Sequence, residues 1–165
     1  MGESRGPAAQ DGRRPDRLEL RVPTTATQLP AVRAMAGDLA MRMDYDLDAV
    51  EDLRLAVDEA CATLAAIAAG DAPLTVVFET TRAGLHIEAW VPTVDGQDVP
   101  RDGFGWAVLA TLVDAVDGRP STQAEVPAGD GTAGPVAVIS LDKYLPGQGP
   151  SGVGNGAGQN LSVAR

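Results

Sequence analysis

The sequence predicts an α+β domain, a two-layer sandwich in which helices cover one face of a mostly antiparallel sheet. Apolar and polar residues alternate in several short segments, which is typical of half-buried strands. In three longer segments, apolar residues recur every three to four positions, which is typical of amphipathic helices. The segments follow in the order strand, helix, helix, strand, strand, helix, strand, strand. A dinucleotide-binding Rossmann unit requires strictly alternating strands and helices and is therefore excluded.

The predicted domain occupies residues 17–145 of the 165-residue chain. Residues 1–16 mix Gly, Pro, Ala and charged residues without an apolar period, and residues 146–165 contain six Gly and two Pro. Neither segment can bury enough apolar surface to offset the entropy lost on ordering. We expect both tails to be disordered.

The chain is acidic, with 13 Lys and Arg against 23 Asp and Glu and a net charge of −10. A direct nucleic-acid partner is not expected, because binding phosphates requires a basic face. The acidity could complement a basic partner or serve solubility alone. One Cys cannot form an internal disulfide, and we find neither a signal-peptide pattern nor an apolar run that could span a membrane. A soluble cytoplasmic protein is expected.

The first half of the domain is predicted to form one strand and two helices. Alternation over 18–22 predicts the strand, and helical spacing predicts a first helix over about 27–43. The second helix is expected to begin after Asp46, a good N-cap, and to run to about Ala69, with Gly70 ending it.

The second half is predicted to contain two hairpins with a loop and a helix between them. The expected elements are strands over 74–80 and 85–91, a loop over 92–103, a helix over about 105–117, and strands over about 121–126 and 135–142. Val116 is expected on the inward side of the third helix.

The second helix is unusual because it is apolar nearly all round between residues 55 and 69, where Asp58 and Glu59 are the only charges. Opposite its core stripe it carries Leu55, Ala62 and Ala66. Such a helix should be covered on both sides, by the sheet and by another element or a ligand. Cys61 lies beside the core stripe and is expected to be a small buried hydrophobe.

Residues 53–63, with the sequence LRLAVDEACAT, resemble the N-box of the RsbW-type anti-sigma-factor serine/threonine kinases of the GHKL ATPase superfamily. The resemblance implies the GHKL (Bergerat) fold and makes Glu59 the candidate catalytic base. Thr63 stands where the family has the Asn that holds a magnesium ion on the ATP phosphates. The structural alternatives are a capping or loop-bonding role for Glu59 and, for Thr63, a bond to its own i−4 carbonyl.

A second motif, DGFGWAVL at 102–109, resembles the glycine box of the same family. The resemblance makes Gly103, Phe104 and Gly105 candidate nucleotide-binding residues. Glycines let backbone amides approach phosphate, and the following helix N-terminus supplies partial positive charge. A tight turn leading into a helix is the alternative. The resemblance covers residues 17–142.

Two further features depart from the family. Its Asp-x-Gly-x-Gly box, whose Asp binds the adenine amino group, is replaced by WVPTVDGQ at 90–97, and no Lys- or Thr-rich lid precedes Gly103. Together with Thr63, these departures imply that ATP and Mg²⁺ are bound weakly or not at all, so enzymatic activity stays open. The acidic residues of the 92–103 loop lack the spacing of a metal-binding loop, and no separate metal site is expected.

The resemblance implies an anti-sigma factor that acts as a homodimer. Such a protein sequesters an alternative sigma factor of the stress or sporulation type and is released by a STAS-domain anti-anti-sigma factor. Arg33, on the polar face of the first helix, would meet the partner, although an ordinary surface arginine fits the pattern equally well. The alternative function is an active ATP-dependent serine/threonine kinase that phosphorylates the STAS-domain antagonist.

Overall fold

The computed structural model describes residues 16–25 and 27–149, which fold in the predicted order of elements. These elements are β1 (Asp16–Val22), α1 (Leu29–Arg42), α2 (Leu47–Ile67), β2 (Leu74–Thr80), β3 (Gly84–Pro92), α3 (Phe104–Leu112), β4 (Ala115–Thr122) and β5 (Pro135–Tyr144). The tails predicted over 1–16 and 146–165 lie mostly outside the described residues, although Asp16 already belongs to β1. Among the described helices, none combines the length and the apolar character needed to cross a membrane.

The five strands form one sheet in the order β1-β2-β3-β5-β4, and every neighbouring pair is antiparallel. The helices pack on one face of this sheet, where alternate strand residues such as Phe78, Ile87 and Ile139 join the main core. The α+β sandwich predicted from the order of elements is therefore confirmed.

Helix α2 forms the centre of the helical layer. The core stripe predicted for it is confirmed, since Val50, Leu53, Val57, Ala60 and Leu64 are buried and Ile67 is half-buried against the same core. The predicted N-cap is confirmed as well, because the Oδ1 atom of Asp46 accepts a hydrogen bond of 2.8 Å from the amide of Ala49. This bond satisfies one of the amides that a helix start leaves without an intrahelical partner.

Two helices end earlier than predicted because the sheet binds their last backbone groups. Helix α2 ends at Ile67 rather than Ala69, and the amide of Ala69 instead donates to the carbonyl of Pro92, 2.8 Å away. Helix α3 ends at Leu112 rather than 117. Val116, expected on the inner face of that helix, lies in β4 opposite Leu141.

The last hairpin also differs from the prediction, which placed its first strand over 121–126. Strand β4 spans 115–122, and residues 123–134 connect it to β5. Gly118 and Pro120 disfavour a strand locally, but β4 lies at the sheet edge, where both residues are tolerated. Gly118 also makes room for α3, since a Cβ there would lie 2.9 Å from Cη2 of Trp106.

The sheet face opposite the helices, called the outer face below, is partly covered by the 123–134 segment. The indole Nε1 of Trp90 donates to the carbonyl of Pro127 at 2.9 Å, and Trp90 forms a small second core with Val126, Val136 and Val138. Hydrogen bonds from Thr132, with a smaller contribution from Arg21 of β1, lower the pKa of Asp130. The segment therefore covers the outer face over β3 and β5.

Candidate functional site

The two sequence motifs meet in the structure, because the middle of α2 packs against the start of α3. The side chain of Glu59 lies so close to Gly105 that a Cβ at position 105 would overlap its Oε1 atom. Only glycine allows this approach without moving the carboxylate. The side chain of Glu59 makes no hydrogen bond to any residue in the described part of the chain. The expected alternative of Glu59 as a hydrogen-bonding cap is therefore not seen.

The N-terminus of α3 is open to solvent. Gly103 is its N-cap residue in an extended conformation, no side chain caps the helix, and a Cβ at Gly103 would meet no atom within 4 Å. Phe104, the first helical residue, has 87% of its surface exposed. The first turn contains no acidic residue, so the helix itself does not neutralise its positive end. This opening could receive an anionic group beside Glu59.

Thr63 follows Glu59 by one turn on α2 and is half-buried. Its hydroxyl has no hydrogen-bond partner among the described residues, so the expected alternative, a bond to the i−4 carbonyl, is not formed. Thr111 of α3 does form the equivalent bond, because its Oγ1 donates to the i−4 carbonyl of Ala107 at 2.9 Å. The Thr63 hydroxyl is thus free to bind another group.

One side of α2 is uncovered, contrary to the expectation that both sides would be packed. Leu55 is 55% exposed, and Ala62 and Ala66 are exposed further along the same helix. By helical spacing these residues flank Glu59 and Thr63. The apolar stripe that the sequence showed on α2 therefore lies open beside the two candidate residues.

A residue that sequence reasoning missed lies at the end of β3. Thr93 continues the helix-facing series of β3 residues that ends with Val91, and it is 5% exposed. Its buried hydroxyl has no hydrogen-bond partner in the described structure. Burying a hydroxyl without a partner is costly, which favours a bound group that would complete it. The alternation of β3, extended by one residue, was the signal that could have identified Thr93.

Arg33 joins α1 to α2 through an ion pair. Its NH1 atom lies 2.7 Å from Oδ2 of Asp58, and the two side chains are 41% and 32% exposed. Asp58 directly precedes Glu59 on α2. The exposed part of the guanidinium can still contact a partner.

The remaining reactive side chains have structural roles. Cys61 is buried as predicted, and burial, with a smaller effect of Asp58, raises the pKa of its thiol to about 12. His86 is half-buried on the outer face, where its Nδ1 lies 2.7 Å from Oδ1 of Asp142. Across residues 16–25 and 27–149, no three His, Cys, Asp or Glu side chains are arranged to hold a metal ion.

A cavity of about 290 Å³ lies at the other end of α2, next to its N-terminus. Its lining includes four carboxylates and the ammonium group of Lys143, whose Nζ donates to the carbonyl of Leu112 at 2.8 Å and to Oδ2 of Asp52 at 3.3 Å. The carboxylates belong to Asp46, Asp48, Asp52 and Asp114. Neither Glu59 nor the glycine motif lines this cavity, so it is separate from the candidate site.

The fold agrees with the comparison to known families. Residues 22–127 match the histidine kinase-like ATPase domain family, and the chain belongs to this family. The matched residues run from the end of β1 to the segment after β4, so they include α1, α2, α3 and the hairpin between them. A domain of this family suggests ATP binding in general terms.

Two curated relatives are more specific. Both are named anti-sigma-F factor RsbW and come from Mycobacterium tuberculosis, strains CDC 1551 / Oshkosh and ATCC 25618 / H37Rv. Each is 39% identical over 107 residues, which is 62% of this chain and 63% of the relative. The match therefore spans less than two thirds of the relatives' length. The resemblance to RsbW-type anti-sigma factors drawn from the sequence motifs is confirmed.

Proposed function

We propose that this chain is an anti-sigma factor, which binds an alternative sigma factor of the stress or sporulation type in the cytoplasm and keeps it from RNA polymerase. The observation that carries the proposal is the 39% identity over 107 residues to two anti-sigma-F factors. In the same proposal the chain acts as a homodimer, and a STAS-domain anti-anti-sigma factor releases the sigma factor by competing for the same surface.

The α1–α2 surface is suited to this protein partner. The Arg33–Asp58 pair lies between the two helices and is partly exposed. Three large apolar residues, Met41, Leu47 and Leu55, are exposed on the same two helices. Arg and Met are enriched in the cores of protein interfaces. Regulation through this surface requires no contact with DNA, in agreement with the net charge of −10.

The test is direct binding of the purified chain to candidate alternative sigma factors, measured by calorimetry. We expect a stable complex, which contains either one chain or a dimer of the chain for each sigma factor. Arg33→Ala should weaken binding about tenfold or more, which corresponds to the loss of one interface anchor. Arg42→Ala is the matched control, since Arg42 also lies on α1 and also pairs with an acid, Asp38, at 2.9 Å.

The two parts of this proposal fail separately. If none of the host's alternative sigma factors binds, the anti-sigma function is wrong. If a sigma factor binds but Arg33→Ala and Arg42→Ala behave alike, the function stands and the α1–α2 surface is not the binding surface. Circular dichroism of both variants checks that the fold is unchanged.

A second candidate function is an active serine/threonine kinase that phosphorylates the STAS-domain antagonist. The observation that favours it is that Glu59, Thr63 and Thr93 all lack hydrogen-bond partners in the described structure. Glu59 would take the proton of the substrate serine as its oxygen bonds to the transferred phosphorus and ADP leaves. Thr63 would contribute one oxygen to the magnesium ion, a weaker ligand set than an Asn amide provides.

Titration with Mg-ATP and an assay of phosphate transfer to the antagonist test this second function. Thr63→Val should abolish binding, whereas Thr111→Val should not, because the Thr111 hydroxyl only bonds its own helix. Glu59→Gln should leave nucleotide binding unchanged and abolish phosphate transfer to the antagonist. Absence of both heat and transfer in the wild-type chain would exclude the kinase and leave the anti-sigma function intact.

A further inference from the structure

The segment 123–134 between β4 and β5, called the strap below, contains no helix or strand and covers part of the outer face. Among its residues only Val126 is buried, with 7% of its surface exposed. Under the strap lies the small second core, in which Val126 packs with Trp90, Val136 and Val138 apart from the main core. The strap therefore contributes a single buried side chain to the fold.

Few hydrogen bonds hold the strap on the sheet. In the described structure one bond joins it to a strand beneath it, from the Nε1 atom of Trp90 to the carbonyl of Pro127 at 2.9 Å. Its other bonds lie within the hairpin itself, such as the bond of 3.0 Å from the amide of Gln123 to the carbonyl of Gly134. Ala128 has a φ of 60°, a left-handed conformation that strains any residue with a Cβ atom. The strap is thus held weakly and against local strain.

Two polar side chains next to Trp90 are buried with atoms that have no hydrogen-bond partner in the described structure. Thr75 lies opposite Trp90 in the register of β2 and β3, is fully buried and has an unpartnered Oγ1 atom. Glu88, two residues before Trp90 on the same face, is 8% exposed and has an unpartnered Oε1 atom. Its Oε2 atom receives two long bonds of 3.4 Å, from Arg119 and Ser140. Burying such groups is costly, so contact with water would stabilise both.

We propose that the strap is a cover that opens while the rest of the domain stays folded, and that hydration of Thr75 and Glu88 favours the open state. Opening exposes Trp90, Val136 and Val138, which form an apolar patch on β3 and β5. Local opening is expected where few apolar contacts and few hydrogen bonds hold a segment. The patch lies on the outer face, opposite α1 and α2, so this inference does not depend on the sigma-factor surface proposed above.

Thiol labelling of the full chain under native conditions measures the opening. Val126→Cys places a thiol under the strap, and Cys61, 1% exposed in the main core, is the reference within the same molecule. Because Cys61 lies on α2, its reaction requires unfolding of the helical layer. Ala124→Cys, at an exposed position of the strap, gives the rate of an accessible thiol. The thiol at position 126 should react at least about a hundredfold faster than Cys61 and more slowly than the thiol at position 124.

Thr75→Val tests the role of the buried hydroxyl, because it removes that group and leaves a side chain of similar shape. Added to Val126→Cys, it should slow labelling at position 126 about tenfold, since the closed strap then buries one unpartnered group fewer. Thr93→Val is the matched control. The hydroxyl of Thr93 is also buried without a partner in the described structure, but it lies on the helix-facing side of the sheet. This control should leave labelling at position 126 unchanged.

Three results would each overturn the proposal. Equal labelling rates at position 126 and at Cys61 would mean that the strap opens only when the whole domain unfolds. Equal rates at positions 126 and 124 would mean that the strap does not close over the sheet. Equal rates at position 126 with Thr75→Val and with Thr93→Val would mean that the buried hydroxyl does not favour opening. Slow labelling of Cys61 in every variant shows independently that the helical layer is still folded.

Discussion

Tyr45 offers the sharpest test of how the helical layer is held on the sheet. It lies in the turn between α1 and α2 and is buried, and its hydroxyl joins two strands. The hydroxyl donates to the carbonyl of Lys143 on β5 at 2.5 Å and accepts from the amide of Leu85 on β3 at 3.0 Å. Tyr45→Phe removes one oxygen atom and leaves the packing of the ring unchanged.

The expected loss of stability comes from two backbone groups that the substitution leaves without their partner, the carbonyl of Lys143 and the amide of Leu85. The amide of Leu85 is buried, so it cannot find water as a new partner. A buried donor or acceptor without a partner costs about 1–3 kcal/mol, so we expect unfolding free energy to fall by about 2–4 kcal/mol. With a urea m-value of roughly 1.5–2 kcal/mol/M for a domain of this size, the midpoint should fall by about 1–3 M.

Urea unfolding followed by circular dichroism measures this change. Tyr144→Phe is the matched control, because the hydroxyl of Tyr144 makes no hydrogen bond with any described residue. The control should stay within about 0.5 kcal/mol of the wild-type chain. Equal stabilities of Tyr45→Phe and Tyr144→Phe would refute the idea that the two hydrogen bonds hold this turn on the sheet.

Three further predictions concern stability. Burial raises the pKa of Cys61 from 9.0 to about 12, so its contribution to stability is complete below pH 9 and is lost as the pH rises towards 12. Between pH 9 and 11 the unfolding free energy of the wild-type chain should fall by about 2 kcal/mol more than that of Cys61→Ala, measured by urea unfolding at each pH. An equal fall in both proteins would contradict this. Asp46→Ala removes the N-cap of α2 and should cost about 1 kcal/mol, whereas Asp48→Ala, in the first turn without a capping bond, should cost less than half of that. Lys143→Met leaves the carbonyl of Leu112 without its 2.8 Å donor and should lower the unfolding free energy by about 1–3 kcal/mol; an unchanged thermal midpoint would show that water replaces the ammonium group.

The order and type of the eight elements were predictable from local patterns. The capping side chain of Asp46 and the periodic stripe of α2 are properties of neighbouring residues, so they can be read without knowing the fold. The boundary between α3 and β4 was not predictable in this way. It is set by pairing of β4 with β5, whose residues follow about twenty positions later, and by the room that Gly118 gives to Trp106.

The candidate site was partly predictable, because its family motifs are short and local. Glu59, Thr63 and Gly105 were identified from two segments about forty residues apart, but only the packing of α2 against α3 shows Glu59 lying on Gly105. Thr93 was missed because the alternation of β3 places it on the helix-facing side but does not show that its hydroxyl lacks a partner. Its buried hydroxyl without a partner is a property of the folded chain alone.

The sequence by itself determined the α+β class, the acidic character and the family, because each depends on composition, short-range periodicity or a local motif. The tertiary structure decided which polar groups are satisfied and which stay free. Arg33 is paired with Asp58, while Glu59, the next residue along the chain, has no hydrogen-bonding partner in the described structure. The physical reason is that a hydrogen bond or ion pair requires two atoms within about 3 Å, and residues distant in sequence reach that separation only when the helices and the sheet have packed.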